Sequence, residues 1–340
     1  MKKIFFLLFL LFLPVSVFAD SGKSTIIMDV DSGRILYKKN INQKQLIAST
    51  TKIMTCIIAL ENADLNKEIT VGEEVLSMYG TNIYIEPGEK IKIIDLLYGL
   101  MLRSGNDAAT TLAYNILGYD EFINKMNAKA KDIGMKNTSF SNPHGLDDET
   151  ENYSTAYDMA LLSRYVYKNP IYRKIISTKK YVTKSSIKSY VWYNRMSLLN
   201  NYPNCIGGKN GYTPKAGKSL VSYAKKDDLV LTIVSLDDDS IYENHRNLYN
   251  EYFSKYKKYI IVEKGEFTIN NNLYYINKSF KYPLAESEKD NIKTLMKINN
   301  GTGKVEIYFN NSIIANIDMT KKTIKKEKKN LLKKFIDLFS

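Results

Sequence analysis

Ser49 and Lys52 stand three residues apart in the stretch LIASTTKIMT, at the head of an apolar run from Ile53 to Leu60. On a helix, residues three apart share a face about one turn apart, so the Lys52 amine can reach the Ser49 hydroxyl. A serine hydroxyl is a poor nucleophile until a base takes its proton. Lysine acts as that base only when its amine is neutral part of the time, a state that burial and a neighbouring cation promote. The apolar run supplies the burial. Ser49 also lies close to the cap of the helix, where free backbone N–H groups and the positive end of the dipole favour an anion.

Two later clusters suit the same chemistry. Ser104-Gly105-Asn106 interrupts a helical run from Ile94 to Leu102 that resumes through Ala108 to Leu117, so its side chains can project from a tight turn. A hydroxyl there can relay a proton, and an amide can bond a peptide carbonyl. Lys209-Asn210-Gly211-Tyr212-Thr213 follows Gly207-Gly208 and reads as a glycine-rich strand, where missing side chains let another backbone come close. Lys209 can supply a cation to Ser104 or to a substrate carboxylate. Taken singly, these clusters also read as a chance Ser-x-x-Lys, a helix-breaking turn and a solvated edge-strand lysine. Histidine, the usual base for serine, occurs only as His144 and His245, neither beside a paired Ser or Asp motif. No His-Glu-x-x-His spacing is present for zinc, and neither a metal nor a cofactor is expected.

The elements that must position these residues come from a chain of 340 residues, long enough for one medium domain and a smaller one. Lys2 and Lys3, the apolar run Ile4 to Leu13 and Val17-Phe18-Ala19 have the three-part form of a secretory signal peptide, so residues 1–19 are set apart and export is expected. Ser24 to Val30 and Arg34 to Tyr37 read as strands joined by the turn Asp31-Ser32-Gly33. Helices are expected from about Ser49, over Asp120 to Ile133 and over Thr155 to Tyr167, with a turn at Asn142-Pro143-His144-Gly145. Strands follow at Lys209 to Thr213, Ser219 to Ala224 and Leu229 to Leu236, then a helix from Tyr242 to Tyr256. Strands at both ends with helices between imply an α/β domain over 20–259 whose sheet is mostly antiparallel and flanked by helices, with a helical subdomain. Short β-like segments, including Lys304 to Phe309 and Ser312 to Ile317, predict a small β domain over 260–320.

Cys56 and Cys205 are the only cysteines, and two buried thiols are the reading preferred over a disulfide. The formal net charge is +13, and the last twenty residues carry eight lysines against Glu327 and Asp337. A nucleic-acid binder would not concentrate its charge so. In that tail, 321–340, Leu331, Leu332, Phe335, Ile336, Leu338 and Phe339 follow helical spacing opposite Lys333, Lys334 and Asp337, a pattern suited to lying on an anionic lipid surface.

In chain order the three clusters, separated by steps of 55 and 105 residues, resemble the signature Ser-x-x-Lys, Ser-x-Asn and Lys-Thr-Gly of the penicillin-binding protein and serine β-lactamase superfamily. The flanks IASTTKIMT, LRSGNDAA, MKNTSFSNPHGLD, YSTAYDMA and KNGYTPKAGKSLV narrow the resemblance to the exported low-molecular-weight D-alanyl-D-alanine carboxypeptidases, over about residues 24–256. The resemblance implies that Ser49 attacks the carbonyl between the last two D-alanines of a peptidoglycan stem peptide, with Lys52 as base. It implies that Ser104 and Lys209 pass the proton to the departing D-alanine while Asn106 steadies the substrate amide. The strand Asn210, Gly211, Tyr212 and Thr213 would bind substrate, and the backbone N–H groups of Ser49 and Tyr212 would form the oxyanion hole. β-Lactams would acylate Ser49, and the tail would hold the protein on the outer face of the cytoplasmic membrane.

The chain departs from the family at Asn210, where a threonine is usual, and Arg246 is the one candidate for the arginine expected before the last helix. Two rival readings follow. Asp148 and Asn152 have the spacing of the water-activating pair of a serine β-lactamase, though without its usual Glu. A wall-binding or β-lactam-sensing protein that lost turnover through Asn210 is the other.

Overall fold

The computed structural model describes residues 20–269, 272–299 and 302–322; the expected signal peptide and residues 323–340 of the tail lie outside them. The chain divides into two compact units between Tyr252 and Phe253, seven residues before the boundary expected from the sequence.

In the first unit, strands β1 (Ser24–Asp29), β2 (Ile35–Lys39), β3 (Cys205–Thr213), β4 (Gly217–Lys226) and β5 (Leu229–Leu236) form one sheet in the order β2-β1-β5-β4-β3. Every pairing is antiparallel. Each residue of β1 and β5 is buried, which is why their sequences show continuous apolar runs and no alternation. One face carries Ile26, Met28, Val221, Tyr223, Val234 and Leu236 into the main core, together with α1 (Lys52–Asn62) and the helix Ala156–Val166. On the other face lies the helix Ile241–Lys255, whose buried His245 bridges Ser222 Oγ of β4 and Ser235 Oγ of β5 at 2.7 and 2.8 Å. His245 is therefore a structural strut, and its burial pushes its pKa down to about 4.

The helical part holds α1, α2 (Asn106–Ile116) and the helices Tyr119–Asp132, Ala156–Val166 and Pro170–Ser177. From Lys52 to Ala59 every residue of α1 is buried, as expected of a central helix. Its start differs from the expectation: Ala48–Thr51 form a 3₁₀ turn and Lys52 opens the α-helix. Ala48 has φ +44°, so a regular helix cannot continue back through Ser49. The helix Pro170–Ser177 was not foreseen, although Asn169 caps it by accepting from the N–H groups of Ile171 and Tyr172 and Pro170 fills its first turn. Nor was the hairpin Lys180–Lys184 with Ser189–Tyr193, whose inner residues Tyr181 and Trp192 stack toward Tyr98.

The second unit is β-rich. A five-stranded antiparallel sheet contains β6 (Ile292–Asn299), β7 (Thr302–Phe309) and β8 (Ser312–Lys322) side by side, with β6 at its edge. Val262, Tyr274, Ile276, Val305, Ile307 and Met319 form its core. A turn at Asn310-Asn311, both residues having positive φ, joins β7 to β8.

Candidate active site

Ser49 is partly exposed between the buried residues Ala48 and Thr50. Two glycines allow backbone to close on its turn. A Cβ on Gly145, at φ +88°, would lie 1.9 Å from the Ala48 carbonyl oxygen, and one on Gly211 would lie 2.8 Å from the Ser49 nitrogen. The loop after Pro143 and the edge strand β3 therefore flank the serine at distances that no side chain permits.

The Lys52 side chain is wholly buried, and its Nζ lies 3.0 Å from Ser49 Oγ, 2.7 Å from Asn106 Oδ1 and 2.6 Å from the His144 carbonyl oxygen. A neutral lysine has two N–H groups and one lone pair. With the amide oxygen and the carbonyl oxygen, which can only accept, taking the two N–H groups, the lone pair is left for the serine hydroxyl. Burial lowers the Lys52 pKa well below its ordinary value, and the Lys209 charge lowers it further against an opposing pull from Asp107. The expected contact between Lys52 and Ser49 is formed, and the structure adds the two acceptors that orient the amine.

Ser104 lies where helix geometry fails. The segment Gly99–Arg103 is a π-turn, and Ser104 follows it at φ +66° in the left-handed region. Its hydroxyl is partly exposed and makes no hydrogen bond to protein among the described residues, so the link to Lys209 considered from the sequence is not formed here. Asn106, the first residue of α2, is fixed at both ends of its amide, Oδ1 accepting from Lys52 and Nδ2 donating to the Tyr79 carbonyl at 2.7 Å.

Lys209 is buried on β3 and donates to the Asn210 carbonyl at 2.6 Å. Burial and the nearby Arg195 guanidinium push its pKa down to about 7. Lys209, Gly211 and Thr213 occupy one alternating set of buried positions, while half-buried Asn210 and exposed Tyr212 occupy the other. Thr213 Oγ1 is spent on Asp147 Oδ2 at 2.5 Å and on the Ala216 N–H at 3.0 Å. Arg246 lies in the helix Ile241–Lys255, and among the described residues its buried Nε has no partner and no hydrogen bond joins it to the expected site residues.

Further residues shape the site, and of these Arg195 and Asp107 carried no readable signal in the sequence. Arg195 lies beside Lys209 in charge and reaches Thr81 Oγ1 at 3.4 Å. Asp107 accepts from the N–H groups of Ile83, Tyr84 and Ala108, fixing the loop that also receives Asn106. Asn142 Oδ1 accepts from the Gly145 N–H at 2.6 Å, and Asn152 binds Asn142 and Thr51, together shaping the loop that offers the His144 carbonyl. Asn152 is thus consumed in holding that loop, and Asp148 accepts from the Tyr79 hydroxyl, so neither forms a pair aimed at Ser49. The His144 ring accepts the Leu146 N–H through Nδ1, and burial with the Lys52 charge pushes its pKa down to about 3. Cys56 and Cys205 are buried free thiols.

Fold and site together define a class: an α/β protein with an antiparallel sheet, whose edge strand faces a serine and lysine at the mouth of a buried helix. Residues 15–240 match the family described as D-alanyl-D-alanine carboxypeptidase. The chain belongs to that family. It is 38% identical over 221 residues to the D-alanyl-D-alanine carboxypeptidase DacF of Bacillus subtilis, a match covering 63% of this chain and 57% of that relative. Among solved structures, D-alanyl-D-alanine carboxypeptidase from Mycobacterium tuberculosis superposes with a TM-score of 0.67 at 31% identity, over 69% of this chain and 92% of that one. The carboxypeptidase DacD of Francisella tularensis superposes with a TM-score of 0.72 at 26% identity, over 95% and 96%. The latter match extends over both units of this chain.

Proposed function

We propose that this protein is a serine-type D-alanyl-D-alanine carboxypeptidase that removes the terminal D-alanine from peptidoglycan stem peptides through an acyl-enzyme on Ser49. The observation that carries the reading is the hydrogen-bond set of Lys52, which leaves its lone pair for the Ser49 hydroxyl. In this reading Lys52 takes the hydroxyl proton as Ser49 Oγ bonds to the carbonyl carbon. The oxyanion so formed is met by the backbone N–H groups of Ser49 and Tyr212, each such donor typically worth about 3 kcal/mol. The C–N bond then breaks, and the proton reaches the departing amine through Ser104 and Lys209. Lys209 and Arg195 supply cations for the terminal carboxylate. Water releases the acyl group, and β-lactams acylate the same serine.

In the same reading residues 1–19 direct export and residues 321–340 hold the protein on the outer face of the cytoplasmic membrane. Intact-mass measurement after penicillin treatment, with D-alanine release from a pentapeptide assayed in parallel, tests the enzyme. One penicilloyl adduct and released D-alanine are expected for the wild type and neither for Ser49→Ala. An adduct that persists in Ser49→Ala sinks the assignment of the nucleophile. An adduct without D-alanine release transfers the reading to a β-lactam- or wall-binding protein, and rapid penicillin hydrolysis transfers it to a β-lactamase.

A further inference from the structure

The edge strand β6 of the second unit has large apolar side chains that its own unit does not cover. Leu295 and Met296 are 47% exposed and Ile298 39%. Register explains why. Met296 and Ile298 are paired with Val305 and Gly303 and so point toward the core side, but on β6 the core takes in Ile292 and does not reach them. Leu295 points to the opposite side, opposite Glu306. An open strand edge with apolar groups on both sides is a surface that soluble proteins usually blunt.

Lysines ring this edge. Lys293 and Lys297 lie on β6 itself, and Lys297, Lys304 and Lys321 line a groove of about 570 Å³ at the end of the sheet. Glu306 accepts from Lys297 at 2.7 Å and lies 3.5 Å from Lys304, and Asp318 also lines the groove, so the surrounding lysines outnumber the carboxylates without being free of them. From Phe253 to Lys322 the chain carries twelve lysines against seven Asp and Glu. The point where the tail departs is adjacent. Asn299 pairs with Thr302 and Thr302 with Thr320, so β8 reaches Lys321 at the same end of the sheet as Ile298.

We propose that this end of the second unit is itself a membrane-docking surface, with Leu295, Met296 and Ile298 entering the interface of an anionic bilayer while Lys297, Lys304 and Lys321 face its headgroups. The proposal rests on the reading of the tail as a membrane anchor, and continuity with the tail's point of departure selects a bilayer as the occupant. Apolar side chains flanked by lysines gain from acyl burial and from anionic charge together, and a two-signal contact holds where one gives only marginal binding.

The test uses the full chain and vesicles of phosphatidylglycerol with phosphatidylcholine, and vesicles of phosphatidylcholine alone. Leu295→Ser/Met296→Ser/Ile298→Ser is expected to weaken partition onto the anionic vesicles about tenfold, with penicillin labelling unchanged. In the full chain carrying Leu331→Ser/Leu332→Ser/Phe335→Ser/Ile336→Ser, a weaker, salt-sensitive partition onto anionic vesicles should persist and vanish when the strand substitutions are added. A fluorophore on Met296→Cys, with the rest of the strand intact, should shift to the blue on anionic vesicles only. Unchanged emission, or strand variants that partition like their parents, overturns the surface. So does a concentration-dependent dimer that the strand substitutions dissolve without changing partition, since a second copy would then be the occupant. If the tail substitutions alone leave partition unchanged, it is the anchor reading of the tail that fails.

Discussion

The Lys52 amine lies 2.6 Å from the backbone carbonyl of His144, a residue 92 positions away. Burial and the Lys209 charge favour the neutral amine, and that carbonyl and Asn106 Oδ1 orient it by taking its two N–H groups, so that its lone pair faces Ser49.

Replacing Lys52 by Ala should lower the acylation rate by penicillin about a hundred- to ten-thousand-fold, the usual span for losing a positioned base. The rate of adduct formation measured by intact mass checks it. A variant that acylates as fast as the wild type would show that another group takes the proton.

The pH dependence should report two lysines of opposite requirement. The proposed chemistry needs Lys52 neutral, so activity rises with pH through its lowered pKa. It needs Lys209 charged, so activity falls above about 7. Arg195→Gln removes a cation that depresses the Lys209 pKa and should move the alkaline limb upward, as read from kcat/KM for D-alanine release. A limb that stays in place would separate Arg195 from Lys209.

Lys209 also gives stability a pH signature. Its folded pKa of about 7 lies below the ordinary 10.5, so between those values the unfolded chain binds more protons than the folded one. Stability from this group therefore increases as pH rises from about 7 toward 10.5, and the burial cost of the charge is borne in full below 7. Lys209→Met should flatten that rise in a urea-denaturation series relative to wild type. An identical slope in both proteins would contradict the burial of a depressed lysine.

His245 predicts the acid side. Its folded pKa of about 4 lies below the ordinary 6.5, so its contribution is intact above 6.5 and is lost as pH falls toward 4. His245→Asn should remove that segment of the pH dependence and cost about 1–3 kcal/mol at neutral pH, because Ser222 and Ser235 lose a shared partner. Thermal melts of the two proteins at stepped pH read both effects.

Gly145→Ala places a methyl group against the Ala48 carbonyl at a φ that also disfavours alanine. A loss of about 2–4 kcal/mol and slower penicillin labelling are expected, the latter because the turn carrying Ser49 must shift. Retained stability with normal labelling would mean the loop yields at no cost to the serine.

The sequence by itself determined that the Ser49 hydroxyl and the Lys52 amine meet, because their spacing is local: three residues along one segment fix which groups can touch, and an apolar run announces its burial. Continuous apolar strands and short hairpins likewise made the antiparallel sheet legible. Only the tertiary structure decided what surrounds that pair. The His144 carbonyl has no side-chain identity to read, Arg195 and Asp107 look like any charged residues, and the left-handed Ala48 and Ser104 are held by packing against preference. Backbone groups and strained turns acquire their roles from contacts between segments distant in the chain, as the His144 carbonyl does from Lys52 92 positions away, and such contacts have no signature in the order of the residues.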